Sequence, residues 1–118
     1  AVSASCAVPL VWPPVEIGGI AYMDGGMRSP ANVDLAHHSE RVIVIAPLTG
    51  ALRRAARPAT QLAALGLGTR GALVAPTRAA LDAIGHNLLD PARRAASAKA
   101  GYADADRVID RLAAAWVG

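Results

Sequence analysis

Few residues in this sequence have the type and spacing to do chemistry. The most informative is Asp24, which follows an extended Tyr22-Met23 and precedes Gly25 and Gly26. A carboxylate on a loop at a strand end lies where α/β folds tend to present functional side chains. There it can orient a nucleophile or act as a general base. Asp-Gly is also among the commonest turn signals, and on these three residues alone an ordinary turn is the favoured reading. Ser5 with His37 or His38 as base is a second arrangement to weigh; a small packing residue on a helix is the simpler account of Ser5. Asp34 and His38 share one helical face at i, i+4 spacing, and with His37 they could approach a metal ion. A convincing fourth ligand is missing, so a solvated helix end is favoured and no metal site is expected. Cys6 is the only cysteine. It excludes an intrachain disulfide and reads as a buried small hydrophobe.

The elements that must position these residues are legible from punctuation. Residues 1–8 are small and apolar, and a short helix stopping at Pro9 is expected. Pro13-Pro14 enforces an extended stretch. Val15-Glu16-Ile17 and Ile20-Ala21-Tyr22 are β-like, and Gly18-Gly19 between them predicts a tight hairpin. Residues 23–27 form a loop in which the paired glycines permit positive φ and close backbone approach. Ser29-Pro30 starts a turn, and residues 32–38 predict one or two helical turns with Asn32 as N-cap.

Arg41–Ala46 is the clearest strand, β-branched and apolar without alternation. That pattern predicts a central strand of a parallel sheet, covered on both faces. Residues 48–57 are a connector, and residues 58–65 predict a helix stopping at Gly66. A second strand is expected over Gly71–Pro76. Thr77 caps a helix to Ile84 that Gly85 closes, and Asp90-Pro91 opens another. That helix is expected to run to Lys99, break at Gly101, and resume over residues 102–116. Val108, Ile109, Leu112 and Trp116 mark the apolar face of the last segment. Strand, helix, strand, helix, helix is the order of an α/β sheet with packed helices.

Composition bounds the rest. The chain has 118 residues, 53% hydrophobic and 18% charged, which is apolar enough to bury a core. It contains no Phe, so the core must be built from Ala, Val, Leu and Ile. Net charge is +3 and the pI about 9.8. The cations sit mainly in short arginine clusters, at Arg53-Arg54 with Arg57 and at Arg93-Arg94. They form no continuous basic stripe, and no aromatic lies among them, so nucleic acid is not expected as a partner. The Arg53/Arg54/Arg57 cluster could meet phospholipid headgroups, with a solvated connector as the favoured reading. No apolar run reaches the length of a membrane span.

One resemblance changes the weight on Asp24. Ala4-Ser5-Cys6-Ala7-Val8-Pro9, Trp12-Pro13-Pro14-Val15, Gly19, Tyr22-Met23-Asp24-Gly25-Gly26 and Asn32 follow one another in order. The block resembles the second conserved block of patatin-like phospholipases, serine acyl hydrolases. There it reads as a helix with A-S-x-A-x-P, an aromatic before Pro-Pro, a short hairpin and D-G-G or D-G-A. The likeness spans residues 1–47, including the strand at 42–46. Residues 48–118 resemble only loosely the second strand and helical tail of bacterial members.

The resemblance implies the C-terminal portion of a three-layer α/β/α fold with a mostly parallel sheet. It implies a Ser-Asp dyad without histidine and without cofactor, in which Asp24 activates the serine and Gly25-Gly26 complete the motif. The substrate class is then a lipid or other acyl ester. The family's serine lies in G-x-S-x-G, with a Gly-rich oxyanion loop further upstream. Neither occurs here: none of Ser3, Ser5, Ser29, Ser39 and Ser97 has glycine two residues away on both sides. The expected partner is therefore a missing N-terminal half bearing the nucleophile, and residues 1–118 alone are expected to be inactive. The chain begins at Ala1 inside what reads as a structured element, so its true start is expected elsewhere. A membrane surface is a further possible partner, and the compartment is left open between the cytoplasm and a membrane. The contrasting reading is an inactive interaction or membrane-surface module.

Overall fold

Proline and glycine punctuate the chain, and the elements fall between them. The computed structural model describes residues 1–117. Its first element, α1 (Val2–Ser5), is a single helical turn, shorter than expected and finished before Pro9. Ala4 and Ala7 are buried, whereas Ser5 and Cys6 are exposed. The expectation that Cys6 is buried is corrected here, because a four-residue helix buries one side and Cys6 lies off it.

The hairpin follows the sequence closely. Strands β1 (Val15–Ile17) and β2 (Ile20–Tyr22) pair antiparallel, with Ile17 opposite Ile20. Gly18 and Gly19 have φ of +61° and +79°. Positive φ at both central residues is what a type I′ hairpin turn needs, and glycine enters that region without a Cβ clash.

Strand β3 (Arg41–Ile45) pairs in parallel with β4 (Arg70–Val74), Val42 against Gly71 and Val44 against Leu73. Between them runs α2 (Pro58–Ala64), with Pro58 at its start and Gly66 just beyond its end at φ +87°. The whole β3–α2–β4 unit is a crossover of the kind parallel strands require. After β4 comes α3 (Arg78–Ile84). The Thr77 hydroxyl accepts from Ala80 N–H at its start, and Gly85 closes it. The architecture is mixed α/β, with one two-stranded parallel sheet, one hairpin and helices.

Two expectations about length and coverage are corrected. The last helix, α4 (Arg94–Val117), runs through Gly101 without a break. A helical glycine costs only about 1 kcal/mol, and packing on α3 and the sheet outweighs it. Asp104 holds the second half in place: its carboxylate accepts from Thr77 N–H at 3.1 Å and Thr77 Oγ1 at 3.0 Å.

Strand β3 is not covered on both faces. Val42 and Val44 are buried, but Ile43 is 36% and Ile45 74% exposed. The buried side packs with Val33, Ala46, Leu62, Leu65 and Leu73. Ile43 faces the other way, toward α4. Helices α2 and α4 therefore lie on opposite faces of the sheet, and α4 covers its face only in part. Burying one valine contributes roughly 1.5–3 kcal/mol, so a cluster of valines and alanines makes a slender core.

Candidate active site

Asp24 stands immediately after β2, half-buried, with extended backbone (φ −57°, ψ 123°). Its N–H donates to the carbonyl of Ala7 at 3.0 Å, which ties the loop to the end of α1. Its Oδ1 accepts the N–H of Gly26 at 2.6 Å and so caps a 3-10 turn over Gly25–Met27. Among the described residues Oδ2 accepts no hydrogen bond. One carboxylate oxygen is thus fixed by the backbone while the other is free to accept a proton from an approaching hydroxyl.

The glycines act through space rather than through φ. Neither Gly25 nor Gly26 has positive φ, so that part of the expectation is corrected. A Cβ on Gly26 would lie 2.9 Å from Asp24 Oδ1. Close approach of backbone and carboxylate is what requires glycine there.

A set of side chains that sequence reasoning did not connect holds this loop from below. Asn32 sits at φ +46°, a left-handed conformation that asparagine tolerates. Its side chain does not cap the 3-10 turn Val33–Ala36, as the sequence led one to expect. Instead Nδ2 donates to the carbonyls of Gly25 and Ser29, both at 3.0 Å, and Oδ1 accepts from Arg28 Nη1 at 2.8 Å. Arg28 also grips Asp34 with two N–H groups, one of them at 2.9 Å to Oδ1. Hydrogen bonding to Arg28 holds the Asp34 carboxyl below the usual carboxylate range, and the same contact raises Arg28. Gln61 on α2 completes the chain. Its Nε2 donates to Asp34 Oδ1 at 2.9 Å, and its Oε1 accepts from Val33 N–H at 3.0 Å and Ser29 Oγ at 2.9 Å.

Ser29 and Gln61 are the buried polar residues of the structure, at 1% and 8% exposure. The one signal for them was Ser29 beside Pro30, which marked a turn and not a buried hydroxyl. Ser29 Oγ donates toward Ala56 O and Gln61 Oε1 and accepts from Asn32 N–H. Its single O–H is shared between those two acceptors, and at 1% exposure the hydroxyl serves as a structural pin.

The other candidates are not brought together. His37 Nδ1 lies 3.1 Å from Asp34 O, and its ring centroid is 3.8 Å from that of His38. Among the described residues no hydrogen bond links either histidine to Ser5. None of their His, Cys, Asp and Glu side chains form a group of three that could hold a metal ion. Asp34, the one carboxylate of that trio, is engaged by Arg28 and Gln61. Arg53, Arg54, Arg57, Arg93 and Arg94 are exposed.

An apolar recess of about 390 Å³ adjoins the site, lined by Ser3, Cys6, Ala7, Trp12, Pro13 and Val15. Ala7 belongs both to this wall and to the hydrogen bond that anchors Asp24. Among the described residues no helix is long and apolar enough to cross a membrane.

A loop carboxylate with one oxygen held by a backbone N–H and one open can accept a proton from a hydroxyl brought to it. Among known families, the patatin-like phospholipase family matches residues 1–37, the stretch from α1 through the Asp24 loop to His37. No curated protein and no solved structure matches the chain.

Proposed function

We propose that this chain is the aspartate-bearing, C-terminal part of a lipid acyl hydrolase of the patatin type, with Asp24 as the base of a Ser-Asp dyad. The observation that carries the reading is the Asp24 carboxylate, with Oδ1 held by Gly26 N–H and Oδ2 open, inside the stretch that matches the family. In the reaction, Oδ2 accepts the proton from the serine hydroxyl as its oxygen attacks the ester carbonyl. Oδ2 returns that proton to the departing alkoxide, so that the alcohol leaves and an acyl-enzyme forms; the regenerated carboxylate then takes a proton from water as it attacks the acyl group, and the proton passes to the serine oxygen as the fatty acid is released. The serine and the oxyanion donors come from polypeptide outside these 118 residues, because no serine here stands in G-x-S-x-G.

An acyl ester fits the surroundings. The recess beside Ala7 presents chiefly apolar side chains to a hydrocarbon chain. Trp12, which lines the recess, is 63% exposed, and its chain neighbours Leu10 and Val11 are 107% and 65% exposed, an apolar stretch that suits a lipid surface.

The test is hydrolysis of a medium-chain p-nitrophenyl ester by the polypeptide that contains both the G-x-S-x-G segment and this chain. Asp24→Asn keeps the shape of the side chain but removes the base, and activity should fall to near background. Equal hydrolysis by both forms, or by neither, sinks the dyad and favours an interaction module.

A further inference from the structure

We infer that Arg28 is a positioning residue for the proposed base: it orients the Asn32 amide, which fixes the peptide plane between Gly25 and Gly26, which in turn holds the Asp24 carboxylate. The catalytic consequence rests on the proposed function; the line of contacts does not.

One peptide group lies at the centre. The bond between Gly25 and Gly26 is trans, so its carbonyl and its N–H point in opposite directions. The N–H donates to Asp24 Oδ1 at 2.6 Å. The carbonyl accepts from Asn32 Nδ2 at 3.0 Å and, within the turn, from Arg28 N–H at 3.1 Å and Ser29 N–H at 3.4 Å. Whatever fixes the carbonyl therefore aims the N–H. A peptide between two glycines has no Cβ on either side to resist rotation, and the 3-10 turn that contains it is only three residues long. A rotated plane would turn its N–H away from the carboxylate. Asn32 opposes that rotation from outside the turn, because its Nδ2 also holds Ser29 O at 3.0 Å.

An asparagine amide can present oxygen or nitrogen to these carbonyls, and only the nitrogen donates. Arg28 decides which. Its Nη1 donates to Asn32 Oδ1 at 2.8 Å, so both Nδ2 hydrogens are left for Gly25 O and Ser29 O. The guanidinium is itself anchored on Asp34, through Nη1 at 2.9 Å to Oδ1 and through Nη2 to Oδ2. Gln61 Nε2 on α2 holds Asp34 Oδ1 at 2.9 Å. A planar fork with several donors serves Asn32 and Asp34 at once. The Arg28 and Asp34 side chains are 55% and 38% exposed. An ion pair in that much water contributes little to stability, whereas a catalytic group misplaced by about an ångström can lose roughly a hundredfold in rate. Loss of Arg28 should therefore show in turnover far more than in melting.

The test compares Arg28→Ala, Asn32→Gly and the double variant in the polypeptide that contains both the G-x-S-x-G segment and this chain. Glycine accepts the φ of +46° at residue 32, so Asn32→Gly removes the amide without straining the backbone. Each single variant should lower kcat about tenfold with KM unchanged. The double variant should be no slower than Asn32→Gly, because both residues act along one route. The melting temperature of Arg28→Ala should stay within a few degrees of the parent's. Losses that multiply in the double variant, as a direct effect of the Arg28 charge on Asp24 would produce, overturn the inference. So does an unchanged kcat in Arg28→Ala when Asp24→Asn abolishes hydrolysis. The amide proton resonance of Gly26 supplies a readout that needs no activity: it should move upfield in Arg28→Ala, in the same direction as in Asp24→Asn. A resonance that Asp24→Asn shifts and Arg28→Ala leaves in place overturns the positioning. An upfield shift in Arg28→Ala, in a polypeptide whose hydrolysis ignores Asp24→Asn, keeps the positioning of the carboxylate and sinks the dyad.

Discussion

Asp24 and Gly26 form a close-packed pair at the heart of the proposed site. The glycine N–H holds one carboxylate oxygen at 2.6 Å, and the missing Cβ leaves room for it. Gly26→Ala separates the two roles. Because φ at residue 26 is not positive, alanine fits the backbone, and the clash at 2.9 Å is with Asp24 Oδ1, the oxygen that the Gly26 N–H holds. The carboxylate swings aside and gives up its bond to the residue 26 N–H, at a cost of about 1 kcal/mol. In the active polypeptide, kcat/KM should fall roughly 10- to 100-fold, since displacing a catalytic group by about an ångström has effects of that size. The melting temperature should fall by only a few degrees, as loss of one cap implies. Full activity in Gly26→Ala would mean that the position of Asp24 is not what catalysis reads.

Elements carry the loop. Hairpin β1–β2 delivers Asp24, the carbonyl of Ala7 anchors its backbone, and the 28–34 segment is stitched to α2 through Gln61. A long helix at the far end of the chain has a different weakness. Gly101 lies in the interior of α4, without positive φ, and a Cβ there would meet nothing within 4 Å. Gly101→Ala should therefore stabilise the protein by roughly 0.5–1 kcal/mol. A thermal scan should show a midpoint raised by several degrees with hydrolysis unchanged. No shift, or a lower midpoint, would place a neighbour against that face of α4 that the described residues do not include.

The whole molecule is open for its size. Its radius of gyration is 16.1 Å, against about 13.5 Å for a compact domain of this length. Large side chains such as Leu10, Leu52 and Leu67 are fully exposed. An apolar strand edge with nothing paired to it is a template for association. Residues 1–118 expressed alone should be poorly soluble or oligomeric by sedimentation velocity and light scattering. A monodisperse monomer would count against both the open edge and the slender core.

Local chemistry was readable from the residues. Gly18-Gly19 predicts the hairpin because adjacent left-handed residues leave few alternatives. Thr77, Gly85 and Asp90-Pro91 mark helix ends because caps depend on neighbours a few residues away. Asp24 stands out through its neighbours, from Ala4 to Asn32. Tertiary structure decided what depends on distant partners. Nothing local says that Asn32 reaches back to Gly25, that Ser29 is buried against Gln61, or that Cys6 is exposed. Nor does the β-branched run of β3 reveal how many strands flank it: apolarity records that the strand is suited to burial, and only the assembled sheet determines which face and which edge are covered. Gly101 makes the same point in reverse, because a break worth about 1 kcal/mol by itself is overruled once a long helix has a surface to pack on.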